Sequence, residues 1–313
     1  MNMTIRPLTE NDLPAAGHIA RLAFGTFLGA PEPEKFWADL DYANTRWRAD
    51  PMAAFGAEMD GTLVGSNFAT RWGSVGFFGP LTIRPDLWDR GIGKRLMEPI
   101  MALFDTWGVA HAGLFTFAHS PKHVGLYQQY GFWPRALTAI MSKPVQPRER
   151  SAPWAKYSEV SESEQAGCLQ ACRTLTEALY PGLDVAREIR ATHAQRLGET
   201  VLLWEAGELV GFGVCHCGPG TEAGTGKCYV KFGAVRLGPT AGDLFERLLD
   251  ACEALAGAQG LPRLEAGVNM ARHEAYRTML ARGFRTDIQG VAMHRPNEPG
   301  YNRPGVYLID DWR

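Results

Sequence analysis

The stretch from Gly79 to Met97, Gly-Pro-Leu-Thr-Ile-Arg-Pro-Asp-Leu-Trp-Asp-Arg-Gly-Ile-Gly-Lys-Arg-Leu-Met, leaves a chain few ways to fold. It begins as an apolar strand, stops at Pro85 and crosses a short polar loop. Gly91 and Gly93 then open a helix with the apolar stripe Leu96, Ile100, Leu103 and Trp107, in steps of 4, 3 and 4, the spacing of one buried helical face. A strand, a glycine loop and a helix N-terminus in succession make an anion site, because free backbone N–H groups and the helix dipole converge on one spot. Two familiar phosphate loops fail on spacing. A Gly-x-Gly-x-x-Gly fingerprint needs glycine at 96, where Leu96 stands, and a P-loop needs Ser or Thr after Gly93-Lys94, where Arg95 stands. Asp89 opposes an anion by like charge unless it faces solvent or caps the helix.

The totals bound the rest. A chain of 313 residues exceeds what one core usually supports, so two domains of about 150 residues each are expected. With 45% hydrophobic and 21% charged residues and a net charge of −2, nothing favours nucleic acid or an anionic membrane as partner. No apolar run reaches the roughly 18 residues of a span, and the first residues lack a signal-peptide core; a cytoplasmic protein is expected. The six cysteines all fall in the second half. Cys215 and Cys217 share one face of a strand while His216 points to the other, and Cys168 and Cys172 continue a helical stripe with Leu175 and Leu179. They read as buried small hydrophobes, with no metal expected.

In the first half, residues 4–7 read as a strand. Thr9-Glu-Asn-Asp12 resembles a capping box before a helix bearing Leu13, Ala16, Ala20, Ala23 and Phe24. A second helix-like piece covers 36–47. Asp60-Gly61 is a hairpin turn between strands 53–59 and 62–72. Strand 76–83 feeds the glycine loop, and the helix after it ends at Gly108. Strand 111–117, a helix over 121–130 closed by Gly131, and extended segments 132–134 and 136–143 complete the order β-α-α-β-β-β-α-β-α-β-β.

This order, with Arg90-Gly-Ile-Gly-Lys-Arg95 and Leu126-Tyr-Gln-Gln-Tyr-Gly-Phe132, resembles the GNAT superfamily of acyl-CoA N-acyltransferases. The family loop is Gln/Arg-x-x-Gly-x-Gly/Ala; Gly91 and Gly93 match it, and Trp88 occupies the Gln/Arg place. Leu126, Tyr127, Gly131 and Phe132 match the second motif. After residues 144–153, rich in proline and charge, the element order restarts: a strand at 156–160, helices at 168–179 and 186–197, a hairpin at 201–204 and 209–217, a strand at 228–236, a helix at 244–255, a strand at 263–268, and a helix at 271–282 before Gly283-Phe284. The resemblance therefore implies an α/β (α+β) protein of two tandem GNAT-like domains, 1–145 and 156–313, joined by a linker 146–155. Each domain is expected to be a mixed, mostly antiparallel twisted sheet with helices on both faces. The second copy lacks the chemical parts: Leu237-Gly-Pro-Thr-Ala-Gly-Asp243 has the wrong glycine spacing, and Met279 stands where the first half has Tyr127. One competent site is expected, with the second domain as a cleft wall or a rigid pseudo-dimer partner.

The resemblance also implies chemistry. The pyrophosphate of acetyl-CoA would meet the amides of Trp88, Asp89, Arg90, Gly91, Ile92, Gly93 and Lys94, with the cations Arg90, Lys94 and Arg95 nearby, and the pantetheine arm would pair like an extra strand with Leu81, Thr82 and Ile83. Tyr127 matches the position of the general acid that protonates the leaving thiolate. For the base, His119 and His123 lie just past strand 111–117, and an imidazole suits the task; Glu32, Glu34 and Glu58 are less specific candidates. The acceptor would enter over the first helices, near Phe24, Phe27, Phe36, Trp37, Glu32 and Glu34, residues that suit a cationic, partly apolar amine. Acetylation of a small-molecule primary amine by direct attack is the leading expectation. Acetylation of a protein or peptide, and a non-catalytic acyl-CoA-binding scaffold, stand as alternatives. The chain is expected to act as a monomeric pseudo-dimer or a homodimer.

Overall fold

The computed structural model describes residues 3–37, 39–146 and 153–313; most of the expected linker lies outside these. The first half runs β1 (Met3–Pro7), α1 (Leu13–Phe27), α2 (Tyr42–Ala49), β2 (Ala54–Met59), β3 (Thr62–Trp72), β4 (Val75–Phe78) and β5 (Thr82–Ile83). It continues with α3 (Ile92–Trp107), β6 (His111–Thr116), α4 (Pro121–Gln128) and β7 (Trp133–Pro144). The second half repeats the plan as β8 (Ala155–Lys156), α5 (Glu162–Leu179), α6 (Ala186–Ala194), β9 (Gly198–Glu205), β10 (Glu208–Gly218) and β11 (Gly224–Val235). There follow α7 (Ala241–Ala258), β12 (Arg263–Asn269), α8 (His273–Ala281), β13 (Arg285–Arg295) and a short β14 (Leu308–Ile309).

Each half is the expected mixed sheet with helices on both faces. A bulge at Val64, opposite Ala57/Glu58, resets the alternation of β3, so that Leu63 and Phe68 share a core with α1 and α2, whereas Val64 and Ala69 pack toward α3. In the second half, Cys168, Cys172, Leu175 and Leu179 of α5 are buried in one core and Leu244, Leu248, Cys252 and Leu255 of α7 in another. The seam of α3 differs from the expected stripe. Leu96, Met97, Ile100 and Phe104 are buried, and Leu103 and Trp107 only partly. At 3.6 residues per turn the 96–100–104 ridge stays on the sheet, while 103 and 107 rotate off its edge.

The halves are interlocked. The strands form one sheet in the order β1-β2-β3-β4-β6-β13-β7-β12-β11-β10-β9-β8. Thus β7, the last strand of the first half, pairs with β12 of the second, and β13 pairs with β6 of the first. These two strands also pair with each other, from Arg285↔Ser142 to His294↔Trp133. An approximate two-fold axis passes between them near Gly290↔Thr138. Among the described residues only β4–β6 and β11–β12 run parallel. Behind the sheet the halves share a core in which Trp72 and Phe77 meet Phe232, Tyr301 and Trp312. Beside it lies a buried ion network: Arg46 and Lys231 both contact Glu222, at 3.1 and 2.8 Å, and Lys231 also contacts Glu188 at 2.8 Å. No helix among the described residues is long and apolar enough to cross a membrane.

Candidate active site

The cleft begins where two parallel strands separate. β4 pairs with β6 over Val75↔His111, Gly76↔Ala112 and Phe77↔Gly113, and there the pairing stops. The single strand expected over 76–83 is divided at this point. Between Phe78↔Ala69 and Thr82↔Ser66, residues 79–81 face only residues 67 and 68. The extra residue makes a bulge that bends β4–β5 away from β6, and Pro80 brings no N–H to a ladder. Arg84 N–H donates to the Val64 carbonyl at 2.9 Å, so by alternation the peptide groups of Leu81 and Ile83 face away from β3, into the opening. The Ile83 carbonyl already accepts the Trp88 indole N–H at 2.8 Å, which leaves the Ile83 N–H and the Leu81 groups for a ligand. Thr82 instead turns inward, with its hydroxyl 3.3 Å from that of Ser66.

Below this opening sits the glycine loop. Gly91 has φ 77° and no side chain caps α3, so the first-turn amides keep their donors. Gly93 lets the turn close on Ile83 and Leu126; a Cβ there would lie 3.3 and 3.5 Å from their side chains. Trp88 thus clamps Ile83 through its indole, and its own N–H donates to the Pro85 carbonyl at 3.2 Å. Asp89 turns its side chain to solvent and pairs with Lys122 at 2.6 Å, and Lys122 also stands 5.6 Å over the Trp88 ring. The repulsion expected from Asp89 is thus neutralised. Among the described residues Arg90, Lys94 and Arg95 have no carboxylate partner. Lys94 lines the cleft, as do Trp88, Asp89, Gly91, Ile92 and Gly93, whereas Arg90 and Arg95 lie beside it.

α4 brings the remaining chemistry. Ser120 caps it by accepting the His123 N–H at 3.4 Å, Pro121 occupies its first turn, and Gly131 at φ 80° turns the chain toward β7. This places Tyr127 on the inner face. Its ring meets Phe78 edge-on at 5.6 Å, it lines the cleft, and burial pushes its pKa above the usual phenol value. The phenol is therefore protonated throughout the physiological range. His123 is half-buried in the cleft wall, 4.9 Å from the Phe27 ring. Burial lowers its pKa, assisted by Lys122 and His119, so it is neutral at pH 7. His119 is exposed, stacked on Phe27 at 5.8 Å, and outside the wall.

On the side expected to admit an acceptor, Phe24, Phe27 and Trp37 line the cleft, with Leu40 and Tyr42. Glu32, Glu34 and Phe36 do not. Glu32 holds Lys35 in solvent at 2.5 Å, Glu34 is exposed, and Phe36 packs on Trp37 at 4.9 Å. Glu58 is tied to Arg6 at 2.8 Å. The reason is local: Pro31 and Pro33 start a tight 3₁₀ turn, Pro33–Lys35, that carries the carboxylates outward.

The cleft, of about 1090 Å³, is closed by residues of the second half: Lys227, Arg263, Glu265, Asp287, Ile288, Trp312 and Arg313. Sequence reasoning missed all of these, because they reach the site only through the exchanged strands and the last residues. Glu265 is paired with both Lys227 and Arg313, at 2.8 and 2.7 Å. Asp287 lies at a register shift of β13 and accepts a hydrogen bond from Ser142 at 2.5 Å. The cysteines are all free thiols, buried except for Cys217. His216 meets Thr192 at 3.3 Å on one face of β10, and Cys215 meets Cys252 at 3.8 Å on the other. No group of three or more His, Cys, Asp or Glu among the described residues is arranged to hold a metal.

Residues 19–132 match the family model described as Acetyltransferase (GNAT) family. No curated protein matches the sequence. Among solved structures, a putative acetyltransferase from Pyrococcus horikoshii is similar over 99% of this chain and 95% of its own, with TM-score 0.69 and 15% identity. A GCN5-related N-acetyltransferase from Sphaerobacter thermophilus covers 93% and 95%, with TM-score 0.60 and 17% identity. A tandem GNAT protein from the clavulanic acid biosynthesis pathway covers 94% and 98%, with TM-score 0.56 and 13% identity. At such identities the likeness is one of fold. The first half carries a GNAT-family domain, and the whole chain has the tandem GNAT fold.

Proposed function

We propose that this tandem GNAT protein is an acyl-CoA-dependent N-acetyltransferase that moves the acetyl group of acetyl-CoA to a primary amine of a small molecule by direct attack. One observation carries the reading. An uncapped helix N-terminus, a strand edge with inward-facing peptide groups, and a buried protonated tyrosine all open into one cleft. The anionic diphosphate of the donor suits the α3 amides with Lys94, Arg90 and Arg95 nearby, each helix-terminal contact contributing about 0.3–1 kcal/mol. The amide-bearing arm suits Leu81 and Ile83, and the thioester would then lie at the vertex by Phe78 and Tyr127.

The neutral amine nitrogen attacks the thioester carbon, the C–S bond breaks, and the thiolate takes the proton of Tyr127. The proton lost by the amine passes to His123, directly or through water; of the two histidines it alone lines the cleft. The enclosed acceptor side, bounded by both halves, favours a small amine over a folded protein surface. The interlocked strands support a single chain acting as a pseudo-dimer with one working site. A thiol-detection assay of CoA release against a panel of amines, paired with acetyl-CoA thermal shift, tests the reading. Amine-dependent release is expected; neither stabilisation nor release would overturn it.

A further inference from the structure

The second half has an opening of its own. β11 pairs with β12 over Lys227–Val230 and Arg263–Ala266, and the two then separate, as β4 and β6 do. Here the opening is filled from within. β14 enters it and pairs antiparallel with β11 at Gly233↔Ile309 and Ala234↔Leu308, both side chains fully buried. Asp311 then lies directly on β12: a Cβ at Gly267 would come within 2.1 Å of its carboxylate. The backbone edge that a pantetheine arm would use is taken by the chain itself.

The same segment runs on into the working cleft. Trp312 lies on Gly113 at the vertex, where any Cβ would be 2.2 Å from the indole ring. Gly113, Phe115 and Phe117 face away from α3, whereas Ala112 and Leu114 face it. The ring is therefore on the acceptor side of the sheet. It is held from several directions. Its Nε1–H donates to the Tyr301 hydroxyl at 2.8 Å, that hydroxyl donates to Asp310, and Arg272 holds Asp310 at 2.6 Å. Trp312 has φ 53° and Trp37, which also lines the cleft, φ 54°. Non-glycine residues in that region cost of order 1–3 kcal/mol, and such conformations cluster at ligand clamps.

We propose that Trp312 is an acceptor-specificity residue, delivered by the segment that fills the second groove. It lines the same cleft as Phe24, Phe27, Trp37 and Phe117, and together they offer aromatic surface to the apolar, aryl-bearing body of an amine. Of the nearby charges, Lys227 and Arg313 are both paired with Glu265, and Arg263 donates to the Ser142 hydroxyl. Asp287, whose one partner among the described residues is the Ser142 hydroxyl that Arg263 also contacts, offers a carboxylate to the cationic amine. This inference rests on the acetyltransferase reading and names the acceptor class within it.

The test compares 2-phenylethylamine with ethylamine as acceptors for the full chain with saturating acetyl-CoA. Wild type should prefer 2-phenylethylamine. Trp312→Ala should lower the ratio of the two kcat/KM values about tenfold, the scale of a lost apolar pocket contact. Trp312→Phe should restore most of it, and Gly113→Ala, which displaces the ring without deleting it, should lower it. The KM for acetyl-CoA should not follow these changes. An equal loss for both amines, or a loss tracking the acetyl-CoA KM, overturns the specificity role. Preference of wild type for ethylamine, or turnover of neither amine while calorimetry shows acetyl-CoA bound, overturns the acceptor class alone. Failure to bind acetyl-CoA overturns the underlying reading as well.

Discussion

Removing one oxygen tests the proposed chemistry most directly. Tyr127→Phe keeps the ring, and so keeps its edge-on contact with Phe78 at 5.6 Å and its place in the core with Met97, Ile100 and Phe132. The variant should therefore fold normally, because volume-conserving changes in a packed core are well tolerated. Burial raises the phenol pKa, so in the resting protein the proton is present at every working pH. The departing CoA thiolate has an ordinary thiol pKa of about 8.5. Without a donor it must leave as the free anion in a partly apolar cleft, an expensive place for an unpaired charge. Loss of a positioned general acid is expected to lower kcat by about 10²–10⁴-fold. Steady-state CoA release should show that fall, while equilibrium dialysis shows acetyl-CoA bound as tightly as in wild type, since the α3 amides and the β5 edge are untouched. Near-normal kcat in a folded variant would refute the assignment of Tyr127, and a parallel loss of acetyl-CoA binding would place the phenol in recognition rather than in proton transfer.

Other expectations follow from the same geometry. The lowered pKa of His123 predicts that kcat/KM for the amine rises with pH through a midpoint below 6.5, provided the amine is followed as its neutral form; a His123→Gln variant that keeps both the limb and the rate would remove His123 as base. Gly91→Ala places a side chain at φ 77°, so the KM for acetyl-CoA should rise several-fold with kcat little changed, and an unaltered KM would argue against the α3 amides as the phosphate site. Glu222→Gln leaves Arg46 and Lys231 buried without their shared carboxylate and should cost about 3–5 kcal/mol by denaturant unfolding; a loss under 1 kcal/mol would mean the network is well hydrated. Burial pushes His111 and His216 down to about 4. The unfolded chain thus binds more protons below about pH 6.5, and stability should fall as pH drops from there toward 4. Below that, buried Glu222, whose pKa is lowered against its burial by Arg46 and Lys231, continues the fall. A flat melting temperature between pH 4 and 7 would contradict the burial of these rings.

Much of the site was legible because its determinants are local. Gly91 and Gly93, the stop at Pro85 and the cap at Gly108 each act within a few residues, so their spacing alone located the loop before α3 and the end of that helix. The Leu126-Tyr127 and Gly131-Phe132 pairs are set by one short helix and its exit turn. The stripe Cys168, Cys172, Leu175 and Leu179 was readable for the same reason and is buried as its period requires. Two local readings were altered by context. Strand 76–83 is divided by a bulge whose partner residues, 67 and 68, lie on another strand, and the carboxylates Glu32 and Glu34 are turned outward by a proline-started 3₁₀ turn.

What no local pattern expressed is the exchange of β7 and β13 between the halves. Each strand has the same alternation whichever neighbour it pairs with, so its partner is decided by the packing of the whole sheet. Lys227, Glu265, Asp287 and Trp312 enter the cleft as a result of that choice. The sequence by itself determined the glycine loop and the helix that carries Tyr127, because each rests on contiguous turns and helix ends. Only the tertiary structure decided the facing wall of the cleft, because it joins segments far apart in the chain, such as Gly113 beneath Trp312, 199 residues on, that meet only once the two halves close into one sheet.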